Sequence, residues 1–238
     1  MSQPADSAEF IVLCIIQLVT IGFSVITFIR SFKRYLGIDP SEKILRKSVK
    51  YFIFIFITIC CAAFFSLASN FVFIITSDGV IAGYLYNAAT TAVLINVFCA
   101  WQFITYLIHI ERRQTKYIIG TVCSIGLILH WVSVPTVTSV LFPPVNVENQ
   151  GLFLYSAALF VFVWAVFAFD FFRSSVKSTE KREKYRFFCI GLCGVFASFM
   201  FPLGIFRQIF PWMVILVGVA LLYLGYNFPR FFQRLLKA

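Results

Sequence analysis

The side chains able to do chemistry in this sequence are mostly amides, hydroxyls and imidazoles set inside long apolar runs. The 28 residues from Val80 to Leu107 carry no Lys, Arg, Asp or Glu. Within and just beyond that stretch, Asn87, Thr91, Gln102, Thr105 and His109 fall within about 60° of one direction at ~100° per residue on a helix. Asn96 faces the opposite way. Buried polar groups are costly in hydrocarbon, so such a stripe must look inward, either to hydrogen-bond neighbouring helices or to line a wet or ligand-holding cavity. If a small-molecule site exists, Asn70, Asn87, Thr91, His130 and Ser133 are its candidates: they fall in the outer half or near the middle of their helices, where amides and hydroxyls orient a ligand and aromatics bury it.

Other chemistries have less to work with. All seven Cys lie in apolar spans and read as small buried hydrophobes, and with only two His no metal site is expected. No HExxH, G-X-S-X-G, Gly-rich phosphate loop or pair of deep carboxylates occurs, so neither an enzyme nor a cofactor is expected. Microbial rhodopsins hold retinal on a Lys of the seventh helix; residues 210–226 contain no Lys and the third span no acid, which argues against covalent retinal. Asp170 lies three residues before Arg173, close enough to meet it on a helix surface near the interface.

These residues must be held by membrane helices. Of 238 residues, 61% are apolar and 13% charged, with a mean hydropathy of +0.90, against about half and a quarter in a soluble domain. Apolar runs of about 20 residues become helices in lipid because every backbone amide must bond internally. Seven can be drawn, at about 9–29, 51–76, 80–110, 117–142, 152–172, 185–205 and 210–226. The first is too long and too poorly preceded by charge for a cleaved signal peptide. The expected fold is all-α, a polytopic integral membrane protein forming a single seven-transmembrane-helix bundle over residues 1–238.

Nineteen of the 20 Lys and Arg fall on one side of this scheme and only Arg207 on the other. By the positive-inside rule the amino terminus is expected outside and the carboxyl terminus in the cytoplasm, with the plasma membrane the expected location. The net charge of +10 then reads as attraction to anionic lipids of the bilayer, and four separate basic segments do not make a nucleic-acid surface. The abrupt Glu111-Arg112-Arg113 is accounted for by span three meeting water. In LGIDPSEK, Asp39, Pro40 and Glu42 predict a capped helix two starting well before the membrane, and Ser178-Thr179 suggest the same for helix six. Arg46, Lys47, Arg112, Arg113, Lys181 and Arg182 on these inner segments are the candidates for contact with lipid headgroups or a cytoplasmic signalling protein. Gly194 and Ser198, with Ala197 beside them, predict a close helix contact on helix six.

LLYLGYNFPRFFQRLLKA, residues 221–238, resembles the exit of the last helix in the seven-helix sensory regions of microbial histidine kinases. The resemblance implies a stand-alone receptor-like module that binds a small or apolar ligand and signals through a separate cytoplasmic protein. Helices one to three and five to seven also share a layout: FIRS at Phe28 to Ser31 recurs as FFRS at Phe171 to Ser174, and SEK at Ser41 is echoed by TEK at Thr179. That 3+1+3 arrangement looks like the SWEET sugar transporters and implies the alternative of small-solute transport.

Overall fold

The computed structural model describes residues 4–108, 114–134, 136–140, 150–200, 203 and 207–227, and among these there is no strand. Seven helices follow in order: α1 (Pro4–Leu36), α2 (Lys43–Thr76), α3 (Gly79–Leu107), α4 (Thr115–Val132), α5 (Gln150–Lys177), α6 (Lys181–Ser198) and α7 (Ile209–Asn227). All but α6 are long and apolar enough to cross a membrane. The protein is therefore an all-α, integral, multi-pass membrane protein. α6 falls short because its 18 residues begin with the charged stretch KREKYR; the run drawn from 185 to 205 ends among residues outside those described.

Chain neighbours pack on one another, α1 on α2, α2 on α3, α5 on α6 and α6 on α7. α1 also meets α7 and α3 meets α5, which closes six helices into a ring, with α4 leaning on α3 and α5. An aromatic core fastens the ring. Phe52 of α2 stacks on Tyr226 of α7 at 3.9 Å and lies 5.2 Å from Phe103 of α3, which stacks in turn on Phe171 of α5 at 6.0 Å.

Small residues set the closest approaches. A Cβ on Gly194 would come within 2.8 Å of the Ala168 backbone nitrogen and 2.9 Å of the Trp164 carbonyl, so this glycine brings α6 backbone-to-backbone with α5. Along α1, Leu13, Gln17, Thr20, Ser24, Thr27 and Ser31 are all fully buried. Their alternating spacings of four and three make a seam of the coiled-coil kind, built here from small polar residues. Thr20 and Thr27 bond their own backbone at 2.8 Å, and Gln17 Nε2 donates to Ser66 Oγ of α2 at 3.0 Å.

Several helix ends differ from the sequence expectation. α2 does begin ahead of the apolar run, but its cap is Glu42, with no side-chain bond. Asp39 instead accepts the Ser41 backbone N–H at 2.8 Å, closing a turn before the helix. That backbone bond and the Ser41 hydroxyl hold its carboxyl below the usual carboxylate range. α4 stops at Val132 and does not run on to 142, because the chain approaches Pro135 and a helix disfavours the residue before proline. Val137 N–H then donates to the Gly79 carbonyl at 2.9 Å, and a Cβ on Gly79 would lie 2.3 Å from the Val137 oxygen. Only glycine fits where this strap crosses the α2–α3 hairpin. Asp78, with no part in the sequence reading, caps α3 by accepting from Val80 N and Ile81 N at 2.9 and 3.0 Å. α6, by contrast, begins ahead of its apolar run at Lys181, as Ser178-Thr179 suggested, and Ser178 Oγ reaches the Glu183 carboxylate of its first turn at 3.3 Å.

Candidate functional site

The two polar faces of α3 meet different surroundings. On one, Asn87 Nδ2 donates to the His130 carbonyl of α4 at 2.9 Å, and Thr91 Oγ1 accepts the Trp131 indole N–H at 3.0 Å. His130 Nε2 lies 2.7 Å from Ser156 Oγ of α5. Asn87, Thr91 and His130 are thus brought together, with Trp131 and Ser156 added, into a cluster that ties α3, α4 and α5. The Asn87 carboxamide oxygen is left without a partner among the described residues.

The remaining members of that set stand apart. Ser133 ends α4 and donates its backbone N–H to the Leu129 carbonyl. Asn70 is buried on α2, and its amide nitrogen has no partner among the described residues. None of the five lines the two axial chambers, the vestibule at the end of the ring or the groove between α3 and α4.

The other face of α3 looks onto the ring axis. Asn96 Nδ2 donates to Thr58 Oγ1 at 2.9 Å and to the Ile55 carbonyl at 3.0 Å, pinning α3 to α2. Both side chains border a chamber of about 50 Å³ whose walls also include Phe160 and Trp164 of α5, Cys193 of α6 and Leu222 of α7. Ala62, Val93, Met200, Trp212 and Ile215 are shared with a second chamber of about 100 Å³, which continues toward the end where α3, α5 and α7 begin and meets Ser66, Tyr86 and Thr90. Trp164 is 2% exposed, and its indole N–H has no acceptor among the described residues. Buried polar atoms in such a wall are rarely left unpaired. An apolar, axial space with one free donor can hold a small uncharged molecule that carries an acceptor.

One turn from the central chamber, at the opposite end of the ring, lies a vestibule of about 160 Å³ bordered by Arg34, Ser48, Glu183, Arg186 and Tyr226. Arg186 of α6 donates to the last carbonyls of α7, through Nε to Gly225 at 3.1 Å and through Nη2 to Tyr226 at 3.2 Å. A Cβ on Gly225 would lie 2.8 Å from the Arg186 carbonyl, so a glycine there keeps the two backbones within reach. The Arg34 guanidinium of α1 sits 4.8 Å over the Tyr226 ring. Three helices, α1, α2 and α6, therefore converge on Tyr226, one turn along α7 from the cavity residue Leu222.

The basic candidates are spread out. Arg46 lies 4.9 Å over Tyr35, and Lys47 reaches 5.7 Å from Tyr106. Lys181 and Arg182 are exposed in the first turn of α6. Arg112 and Arg113, like His109, Glu111 and the Pro229 segment, lie outside the described residues. Arg207 forms an ion pair with Glu9 at the far end.

Trp164, Thr58 and Arg186 were missed as site residues because nothing local marks them. Asn96 carried a signal: polar residues on both faces of α3 mean that the helix has partners on both sides. No protein family, curated protein or solved structure matches the chain.

Proposed function

We propose that this chain is a receptor-like, sensory membrane protein of seven spans that holds a small apolar ligand in the axial cavity and signals through a separate cytoplasmic protein. In this reading α6 is the seventh span, its charged first turns standing in the cytoplasm, with the amino terminus outside and the protein in the plasma membrane. The lopsided Lys and Arg distribution supports that orientation. The observation that carries the proposal is the unpartnered Trp164 indole in the wall of an apolar axial chamber. The two chambers together are comparable to an engineered apolar cavity of about 150 Å³ that takes up benzene.

Transmission follows from the same helices. A ligand pressing on Cys193 and Leu222 bears on α6 and α7, whose inner ends are latched by Arg186 on the Gly225 and Tyr226 carbonyls. Shifting α6 by about 1–2 Å, a step helices make in switching, breaks that latch and moves the exposed basic first turn of α6 against a partner.

Calorimetric titration of the full chain in nanodiscs with cyclohexanone, an apolar body with one carbonyl acceptor, tests the site. Saturable uptake is expected, and Ala62→Phe, which fills the junction of the chambers, removes it. Non-saturable partitioning in both proteins rules the reading out.

The alternative, a small-solute transporter with a 3+1+3 helix arrangement, has one structural observation in its favour. Exchanging α1, α2 and α3 for α5, α6 and α7 leaves the ring's packing pattern unchanged, including the paired contacts α1–α7 and α5–α3. Substrate-dependent flux into vesicles made with the purified protein would favour it over the sensor.

A further inference from the structure

A fourth cavity opens away from the ring axis, between α3 and α4 with α2 at its edge. Its volume of about 630 Å³ lies within the roughly 300–1,000 Å³ of ligand sites. The wide end is where α3 finishes and α4 starts. There Lys116 Nζ lies 6.0 Å from the Tyr106 ring centre and 4.8 Å from that of Tyr117, and Lys47 Nζ approaches the same Tyr106 ring at 5.7 Å. Tyr51 is stacked parallel to Tyr106 at 5.7 Å and meets Phe98 edge-on at 6.3 Å, making a continuous aromatic wall. Among the described residues no carboxylate lines the groove and neither lysine is in an ion pair.

Deeper in, the lining turns apolar at Leu94, Ile95, Phe98 and Leu127. Between the two zones, one helical turn below Tyr106, sits Gln102. It is 3% exposed and its carboxamide oxygen has no partner among the described residues. Leaving such a group buried and unbonded costs about 1–3 kcal/mol; a half-turn of the carboxamide puts its NH2 at that position instead, where it donates to an acceptor on a ligand. Ile95 and Tyr117, at 39% and 68% exposure, show that the groove opens sideways, toward the bilayer.

We propose that this groove holds one acidic phospholipid from the leaflet at that end of the bundle. Its phosphate sits at Lys47 and Lys116, an ester carbonyl of its glycerol backbone accepts from the Gln102 amide NH2, and one acyl chain lies along Leu94, Ile95, Phe98 and Leu127. Two ammonium groups with no ion pair among the described residues, above a buried amide and an apolar trough, match the order of charge, ester and hydrocarbon in such a lipid. The lysines stand over aromatic faces, which hold cations without neutralising them.

The experiment uses the full chain in phosphatidylcholine nanodiscs with spin-labelled phosphatidic acid or spin-labelled phosphatidylcholine, and reads the motionally restricted fraction. The acidic lipid is expected to be retained preferentially and in a salt-sensitive manner. Lys47→Gln and Lys116→Gln, both changes of side chains at the rim, each lower that preference about fivefold. Gln102→Leu lowers retention of phosphatidic acid equally at low and high salt. Equal retention of the two lipids by the unaltered protein overturns the proposal. So does an unchanged preference in the double lysine variant, or release of the label by inorganic phosphate alone.

Discussion

The two sides of α3 invite comparison. On the α4 side, Asn87, Thr91, His130, Trp131 and Ser156 form a dense set of polar side chains, and their donors go to one another or to backbone. On the axial side Asn96 is bonded to Thr58 and Ile55, and Trp164, in the wall of an apolar chamber, keeps an indole N–H with no acceptor among the described residues. The difference teaches where to look for a ligand in a membrane protein. Polar side chains in hydrocarbon seek each other, so a dense cluster is the place where their bonding is already met by neighbouring helices. A lone donor in an apolar wall is the place where something else is needed.

The sharpest way to break this contrast is to damage one side only. Gly194→Leu forces α6 off the Trp164 carbonyl and Ala168 and should lower stability by about 3 kcal/mol, the upper end of the usual cost of overpacking. It should abolish cyclohexanone uptake as well. Thermal unfolding of the purified protein in detergent measures the first effect and calorimetry the second. Next in size is a matched pair. Asn96→Leu should cost up to about 1.7 kcal/mol and Ser156→Ala about 0.6 kcal/mol, the upper and average values for bonds between membrane helices. Only Asn96→Leu, at the cavity wall, should also change ligand uptake; an effect of Ser156→Ala on uptake would erase the distinction between the two faces.

The smallest effect lies outside both. Asp39 is exposed, and its carboxyl is held below the ordinary value of about 3.9 by the Ser41 backbone and hydroxyl. A depressed carboxyl stabilises the fold above the unfolded pKa, and that contribution is lost as pH falls through the folded one. Asp39→Ala should therefore lower the thermal midpoint slightly at pH 7, and the gap between the two proteins should close below about pH 4.

Much of the helix pattern was legible. The apolar runs located six long helices to within a few residues at most ends, because hydrocarbon requires each chargeless run to satisfy its own backbone. α4 was drawn too long, since Trp131 to Leu141 is apolar enough to read as span while Pro135 and the Gly79 strap divert the chain. The α1 seam from Gln17 to Ser31 has the same kind of spacing, three and four residues, but had no part in the sequence reading. Gly194 was read as a close-contact residue, and α6 does approach α5 there. The grouping of Asn87, Thr91 and His130 was also legible, because helices running in opposite directions bring residues of equal depth together.

By itself, then, the sequence determined that this chain lives in a bilayer, which stretches become helices, and which polar side chains must turn inward. Those follow from transfer of single residues and single helices into hydrocarbon, a local property of composition and period. Only the tertiary structure decided that α1 meets α7 to close a ring, that Trp164 and Leu222 share a chamber, and that Arg186 latches the end of α7. Those depend on which faces interlock across distant parts of the chain, and on the gaps left where bulky side chains fail to fill the space between them.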